Sequence, residues 1–406
     1  MTLNAGDAAI LYAMIDVFRA VFGENTEIIV FDKHGEAPGR YYAEPEFRKL
    51  IYLNGKTKNL RFRVGRWAVK HGIPVLQDVL SAAERRDLLE YKTADLIVSS
   101  GGTYLVENYS MTARIFDYEL SLELGKPLVF FTQSLGPFAE EENRRALLPI
   151  FNRALAILVR DQHSLNNLED LGVRNPNVHL AADAAFALSD PAAIQSAKTK
   201  TQVAGAPLRV AVSVREWSHF KSLDAAAGMK AYREALAALT EHLVDKYNAQ
   251  VTFISTCQGM KEYWTDDSRV AQTIVDILPE RIRGSVSVNT DFHQPAVLAN
   301  MLRDYDLVIA TRMHMAILAL GVGIPVLPIA YEFKMHELFE KLGQPRWVQD
   351  IETMSAETLV DTADTFLQSL PDIREPLFSA VQKEYESAKA SGQLVKAAFD
   401  QWRQSK

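Results

Sequence analysis

A single cysteine, Cys257, stands among the 406 residues. No internal disulfide can therefore staple the chain, and no Cys/His pair has the spacing that holds zinc. Positive charge is not in excess either: 44 Lys and Arg face 51 Asp and Glu, for a formal net charge of −7 and a pI near 5.8. That balance argues against a dedicated nucleic-acid binder, which needs a strongly basic face. The opening Met1-Thr-Leu-Asn-Ala-Gly-Asp has neither the basic nor the long apolar stretch of a secretory signal, so a cytoplasmic location is expected. No internal repeat or low-complexity tract is present, no carboxylate cluster or Asp-x-Asp arrangement demands a divalent metal, and neither a bound metal nor a cofactor is expected. An unbroken membrane-length apolar run is missing too. The most apolar segment, 305–334, carries Arg312, His314, two glycines and two prolines, which divide it into strand, helix and strand.

What is present is length and apolar content. A chain of 406 residues that is 48% hydrophobic can fill two cores. Short β-rich runs alternate with amphipathic stretches, the pattern of parallel sheets covered by helices. In the first half strands are expected at Glu27–Phe31, Pro74–Gln77, Asp95–Ser99, Pro127–Thr132, Ala154–Val159 and Val178–Leu180. A small, polar, aperiodic stretch at 189–207 reads as a linker. A second series follows at Leu208–Val214, Val251–Ser255, Ser285–Val288, Leu307–Ala310 and Pro325–Ile329, and from about Ser355 the chain reads as helix. The expected division is a Rossmann-like N-terminal domain at 1–190 and a linker at 191–207. A Rossmann-like C-terminal domain at 208–375 and a helical extension at 376–406 complete it. The fold class is α/β, with the two parallel sheets facing a central cleft.

Ligands of open parallel sheets bind beyond the carboxyl ends of the strands, so polar residues there rank first. Asp306-Leu-Val-Ile-Ala310 runs into Thr311-Arg312-Met313-His314 and a helix. Unpaired N–H groups and the positive end of the helix dipole favour an anion at that point, Thr311 is a good N-cap, and Arg312 supplies a planar fork for carboxylate or phosphate. His314 can carry a proton near neutral pH. Further candidates at strand ends are Gly101 and Gly102, Gln133 and Ser134, Arg160-Asp161, Asp183, Arg215, Ser255 and Lys334. Arg160-Asp161 also reads as a plain ion pair starting the helix Gln162 to Leu171, with Asp161 as its cap, and a buried structural Arg312–His314 pair is a rival to an anion site. Cys257 reads as a buried thiol without chemistry. A basic run, Lys56, Lys58, Arg61, Arg63, Arg66 and Lys70 interleaved with Phe62 and Trp67, reads either as a solvated helix face or as a contact for an anionic membrane surface or a pyrophosphate-bearing acceptor.

Taken in order, Asn4-x-Gly6-Asp7, Ser100-Gly101-Gly102, Gln133-Ser134-Leu135-Gly136-Pro137, Arg160-Asp161 with Ser164, Asp183 to Phe186, Arg312-x-His314, and Gly323-Ile-Pro325 with Tyr331 and Lys334 resemble the polysaccharide pyruvyl transferase family. The likeness covers most of 4–343. Thr132 stands where a glycine is expected, Ala184 where a proline is, and the usual opening strand is absent or stubby. The resemblance implies a fold similar to GT-B glycosyltransferases. It also implies transfer of the enolpyruvyl part of phosphoenolpyruvate onto sugar hydroxyls of a polysaccharide or its precursor, leaving a pyruvate ketal. On that reading Arg215, Arg312, Lys334, Thr311 and Ser255 hold the donor and His314 is the general acid. Asp7, Gly101, Gly102, Gln133, Ser134 and Asp183 line the acceptor side. The implied partners are phosphoenolpyruvate and a saccharide or lipid-linked oligosaccharide, at the inner face of the membrane in the lipid-linked case. A GT-B glycosyltransferase using a nucleotide-sugar donor is the alternative.

Overall fold

The computed structural model describes residues 2–54, 59–107, 109–201 and 205–406. Lys56 and Lys58 of the basic run lie outside them. Among the described residues thirteen strands form: β1 (Ile29–Asp32), β2 (Glu46–Lys49), β3 (Ile97–Ser99), β4 (Gly102–Leu105), β5 (Leu128–Leu135), β6 (Ala156–Val159) and β7 (Val178–Leu180), then β8 (Arg209–Ser213), β9 (Gln250–Phe253), β10 (Val286–Val288), β11 (Leu307–Ala310), β12 (Val326–Ala330) and β13 (Gln349–Asp350).

The chain divides into two units. One holds Met14–Ala184 and Ser387–Lys406; the other holds Thr2–Ala13 and Ala185–Glu386. This differs from the expected division. The boundary falls at Ala184/Ala185, the first turns of the opening helix Ala5–Phe22 go with the second unit, and the end of the long helix Ala356–Gln404 goes with the first. Asp7 thus belongs with the second unit, not the first.

In the first unit β3, β5, β6 and β7 lie in that order, with β4 also paired to β5, and every pairing is parallel. Val129, Phe130 and Phe131 of β5 and Ile157 and Leu158 of β6 are fully buried, as expected of strands covered on both faces. In the second unit all six strands are parallel, in the order β10-β9-β8-β11-β12-β13. Their core joins Val210, Val212, Phe253, Ile309 and Leu327 to Leu236, Leu243 and Phe366 of the covering helices. Among the described residues no helix is long and apolar enough to cross a membrane.

Two expectations fail for the same reason. Pro74–Gln77 is a helical turn, and the stretch expected as a linker contains the helix Pro191–Ala197. In both, proline occupies the first helical position, where its missing N–H costs nothing and its fixed φ suits a helix. Asp190 completes the second by accepting from the N–H groups of Ala192 and Ala193.

Thr132, standing where glycine is expected, has φ of +49° inside β5. It is fully buried, and its hydroxyl oxygen has no hydrogen-bond partner. Left-handed backbone costs a residue with a Cβ about 1–2 kcal/mol, and an orphaned hydroxyl about 1–3 kcal/mol. Against this stand two lost buried carbons, ~1.6 kcal/mol, and the extra chain entropy of glycine, ~0.5–1 kcal/mol. Thr132→Gly is therefore expected to stabilise the first unit by about 1 kcal/mol, read as a higher urea midpoint at unchanged slope.

Candidate functional site

In the first unit the expected acceptor residues are structural ties. Gln133 is fully buried, and its Nε2 donates to the Ser99 carbonyl (3.2 Å), the Ser99 hydroxyl (2.6 Å) and the Ser100 carbonyl (2.8 Å). Ser134, also buried, donates to Asp161 and accepts from Arg160 Nε at 2.7 Å. Arg160 is ion-paired with Asp183 and donates to Thr103 Oγ1 at 2.9 Å. Asp161 caps the helix Gln162–Leu171 by accepting from the Ser164 N–H at 2.7 Å, as its cap reading anticipated. Arg160's carboxylate partner is Asp183, not its neighbour. Gly102 has φ of +129°, and a Cβ there would lie 2.4 Å from the Tyr104 ring; Gly101 is buried beside it. Packing, not ligand approach, accounts for the Gly102 glycine. The cluster ties the carboxyl ends of β3, β5, β6 and β7 together and joins β4 through Thr103, so the donor groups of Gln133 and Ser134 are engaged within the first unit.

The second unit gathers the chemistry. Ser255, Arg215, Arg312 and Tyr331 follow β9, β8, β11 and β12, four strands adjacent in that order and spaced ~4.8 Å apart. The four therefore form a row along one sheet edge. Arg312, not Thr311, is the N-cap residue of the helix Met313–Gly321. Thr311 is fully buried, and its hydroxyl shares a 2.7 Å hydrogen bond with Tyr232. The expected cap and donor contact of the Thr311 side chain are thus corrected: the strand still holds it inside the core when the helix begins.

Arg312 is only 12% exposed, and Asp267, at the start of the helix Asp267–Asp276, is wholly buried. Nε and Nη2 of Arg312 donate to the two carboxylate oxygens at 2.9 and 2.5 Å. Burial disfavours the guanidinium charge, but the adjacent Asp267 carboxylate outweighs it and holds the Arg312 pKa well above its ordinary value. Ser255 donates to Asp267 Oδ2 at 2.6 Å and lies 3.2 Å from the Ser213 hydroxyl. Its hydroxyl is committed to that carboxylate, so Ser255 positions the ion pair rather than the donor. Two of Arg312's five N–H groups are engaged by Asp267, through Nε and Nη2.

His314 lies in the first turn of the same helix, half-buried. It packs on the backbone of Gly6, where a Cβ would sit 2.8 Å from both its Cβ and its Nδ1. The chain start is held in place by Ala5 N–H to the Thr256 carbonyl (2.9 Å) and Gly6 N–H to Asn4 Oδ1 (2.8 Å). Asp7 follows directly, half-buried, and its charge reaches both Cys257 and Tyr263. Burial pushes the Cys257 thiol up to about 12, so it stays protonated and is no nucleophile.

The Arg215 guanidinium lies against a pair of aromatic rings, 3.8 Å from the Tyr331 centroid and 4.9 Å from that of Trp217. The rings are 4.8 Å apart. This arrangement holds the planar cation without neutralising it. Lys334, by contrast, is paired at 2.9 Å with Glu332, and that ion pair closes within its own helix turn. The second unit therefore brings together Arg215, Arg312, His314 and Asp7, with Lys334 engaged elsewhere. Sequence reading missed Asp267, Trp217 and Tyr263. The Asp266-Asp267 pair at a helix start was the available signal for the first; the aromatic partners depend on tertiary packing alone. Among the described residues no group of His, Cys, Asp and Glu is arranged to hold a metal ion.

Comparison with known proteins agrees with this architecture. The amylovoran biosynthesis protein AmsJ of Erwinia amylovora is 27% identical over 300 residues, 72% of this chain and 70% of its own. A UDP-N-acetylglucosamine 2-epimerase from Neisseria meningitidis, solved with UDP-GlcNAc bound, superposes with a TM-score of 0.58 at 12% identity, covering 98% of this chain and 97% of its own. A Listeria monocytogenes protein described as the same kind of epimerase gives 0.58 at 13% identity, covering 99% and 95%. At such identities the two structures speak for the fold alone, two parallel-sheet α/β units of GT-B type. The family model for polysaccharide pyruvyl transferase matches residues 4–332, and the chain belongs to that family.

Proposed function

We propose that the protein moves the enolpyruvyl group of phosphoenolpyruvate onto two hydroxyls of a sugar in a polysaccharide or its precursor, forming a pyruvate ketal during exopolysaccharide synthesis. Family membership and the relative named for amylovoran biosynthesis support the acceptor class. The observation that carries the donor is the pairing of an aromatic-held, un-neutralised Arg215 with the helix N-terminus at Arg312 and His314 on one sheet edge. A small ligand with a carboxylate and a phosphate suits two cationic centres of this kind better than a neutral sugar does.

In the reaction, His314 protonates the methylene carbon while a sugar hydroxyl attacks C2, so the carbon–carbon double bond becomes a methyl group and one C–O bond forms. A second hydroxyl then attacks C2, the bond from C2 to the phosphate oxygen breaks, and phosphate leaves with the remaining proton. Arg215 and Arg312 stabilise the donor's charge throughout. Asp7, next to the Gly6 that His314 packs on, orients or deprotonates a hydroxyl on this reading. Lys334 would join the donor site only on release from Glu332, so donor binding is assigned to the two arginines.

Mass spectrometry of a saccharide panel incubated with phosphoenolpyruvate tests this directly. The expected result is a product heavier by one pyruvate less one water, with phosphate released in equal amount. Transfer of a hexose from a UDP-sugar by the same preparation, with no pyruvyl product, would replace the proposal by the glycosyltransferase reading. His314→Ala is expected to lower kcat by about 10²–10⁴-fold with little change in donor affinity. A variant that kept near-normal kcat would remove the acid role.

A further inference from the structure

The helix Leu60–His71 and the short helix Pro74–Gln77 beside it present a face that neither the catalytic site nor the core uses. Phe62, Gly65, Ala68 and Val69 are buried, and a Cβ at Gly65 would come within 2.4 Å of the Leu80 side chain. That close approach fixes the helix's rotation. Two of its arginines are consumed as ties: Arg61 donates twice to the Glu84 carboxylate at 2.8 Å, and Arg66 pairs with Glu123 at 3.3 Å.

The opposite face is different. Leu60, Arg63, Trp67 and Lys70 recur at helical spacing on the exposed side, along about 15 Å of helix. Leu60 is 74% exposed, Trp67 47%, and Val75 of the adjoining helix 74%, with Leu76 exposed beside it. Among the described residues neither Arg63 nor Lys70 is in an ion pair; of the carboxylates around them Asp78 is taken by Arg85 at 3.0 Å and Glu123 by Arg66, while Glu119 shares a surface pocket with Lys70. Apolar side chains of this size left in water, interleaved with uncommitted cations and an indole, match the composition of a helix lying in a lipid interface.

We propose that this face docks the protein on an anionic lipid bilayer, with Trp67, Leu60, Val75 and Leu76 entering the headgroup boundary and Arg63 and Lys70 meeting lipid phosphates. Positive charge on the face complements an anionic surface and does not complement a second copy of a chain with net charge −7, whose matching patch is equally basic. The catalytic reading is independent of this, since neither helix contributes a residue to the site.

The test is flotation of the full-length protein with vesicles. Phosphatidylcholine vesicles containing one-third phosphatidylglycerol are expected to carry it, pure phosphatidylcholine vesicles to carry little, and raised salt to release it. Arg63→Glu/Lys70→Glu is expected to lower partitioning by at least about tenfold with circular dichroism and thermal midpoint unchanged, because both side chains are exposed, and Trp67→Ala/Leu60→Ser to lower it as well with circular dichroism unchanged. Absence of flotation with the anionic vesicles, or flotation insensitive to both variants, overturns the proposal. A dimer in light scattering that Arg63→Glu/Lys70→Glu dissolves would also overturn it, by showing that another copy covers the face.

Discussion

Gly6→Ala is expected to abolish most turnover while leaving a folded protein. The new methyl would lie 2.8 Å from His314 Cβ and Nδ1, a separation that real Cβ atoms do not tolerate, so the imidazole must move. A displacement of the order of 1 Å at a reacting group costs about 100-fold in rate. Alanine in place of glycine in the first turn of the helix Ala5–Phe22 carries no backbone penalty, and overpacking costs about 1–3 kcal/mol. Steady-state kcat at saturating donor should fall about 100-fold, and adding Gly6→Ala to His314→Ala should change almost nothing further, because both remove the same function. Additive losses would mean that the chain start acts on catalysis by a route other than His314.

Asp267→Ala is expected to have the largest effect on stability. It leaves the Arg312 guanidinium, 12% exposed, without its carboxylate and deprives the Ser255 hydroxyl of its acceptor. Removing one partner of a buried ion pair costs about 3–5 kcal/mol, a large share of any domain's total. Urea unfolding should show that loss in the second unit. Replacing both partners, as Asp267→Ala/Arg312→Met, should recover much of it while activity stays lost, since the charge demanding compensation is then gone. Inorganic phosphate should stabilise Asp267→Ala more than the parent protein, by taking the place of the missing carboxylate against Arg312. A destabilisation below about 1 kcal/mol would contradict the buried pairing.

Much of the sheet architecture was legible in the residues because both units are built from apolar runs punctuated by turns. Val178–Leu180 and Leu307–Ala310 form as strands over the expected bounds, and the stretch after Ser355 is helical. The short strand Gly102–Leu105 was hidden because a double glycine signals a turn, while its actual role is to let Tyr104 pack against the backbone. At the site, Arg215, Arg312 and His314 could be found from their place after apolar strands. Their partners could not, because Asp267 and Gly6 meet Arg312 and His314 across 45 and 308 residues of chain. Thr311, Ser255, Gln133 and Ser134 were drawn into the expected binding set by the same rule, that polar residues at strand ends face a ligand. Here they satisfy other buried polar groups, a requirement as strong as ligand binding and indistinguishable from it in one sequence. The division into units was misjudged because no composition change marks the point at which the opening helix passes from one core to the other.

A calorimetric titration of the purified protein with phosphoenolpyruvate, in parallel with a UDP-sugar, tests the two-arginine donor site most directly. The expected result is saturable one-to-one binding of phosphoenolpyruvate that Arg215→Ala and Arg312→Ala each weaken, His314→Ala leaves nearly intact, and the UDP-sugar does not displace. Binding of the UDP-sugar alone, or phosphoenolpyruvate binding untouched by both arginine substitutions, would contradict it.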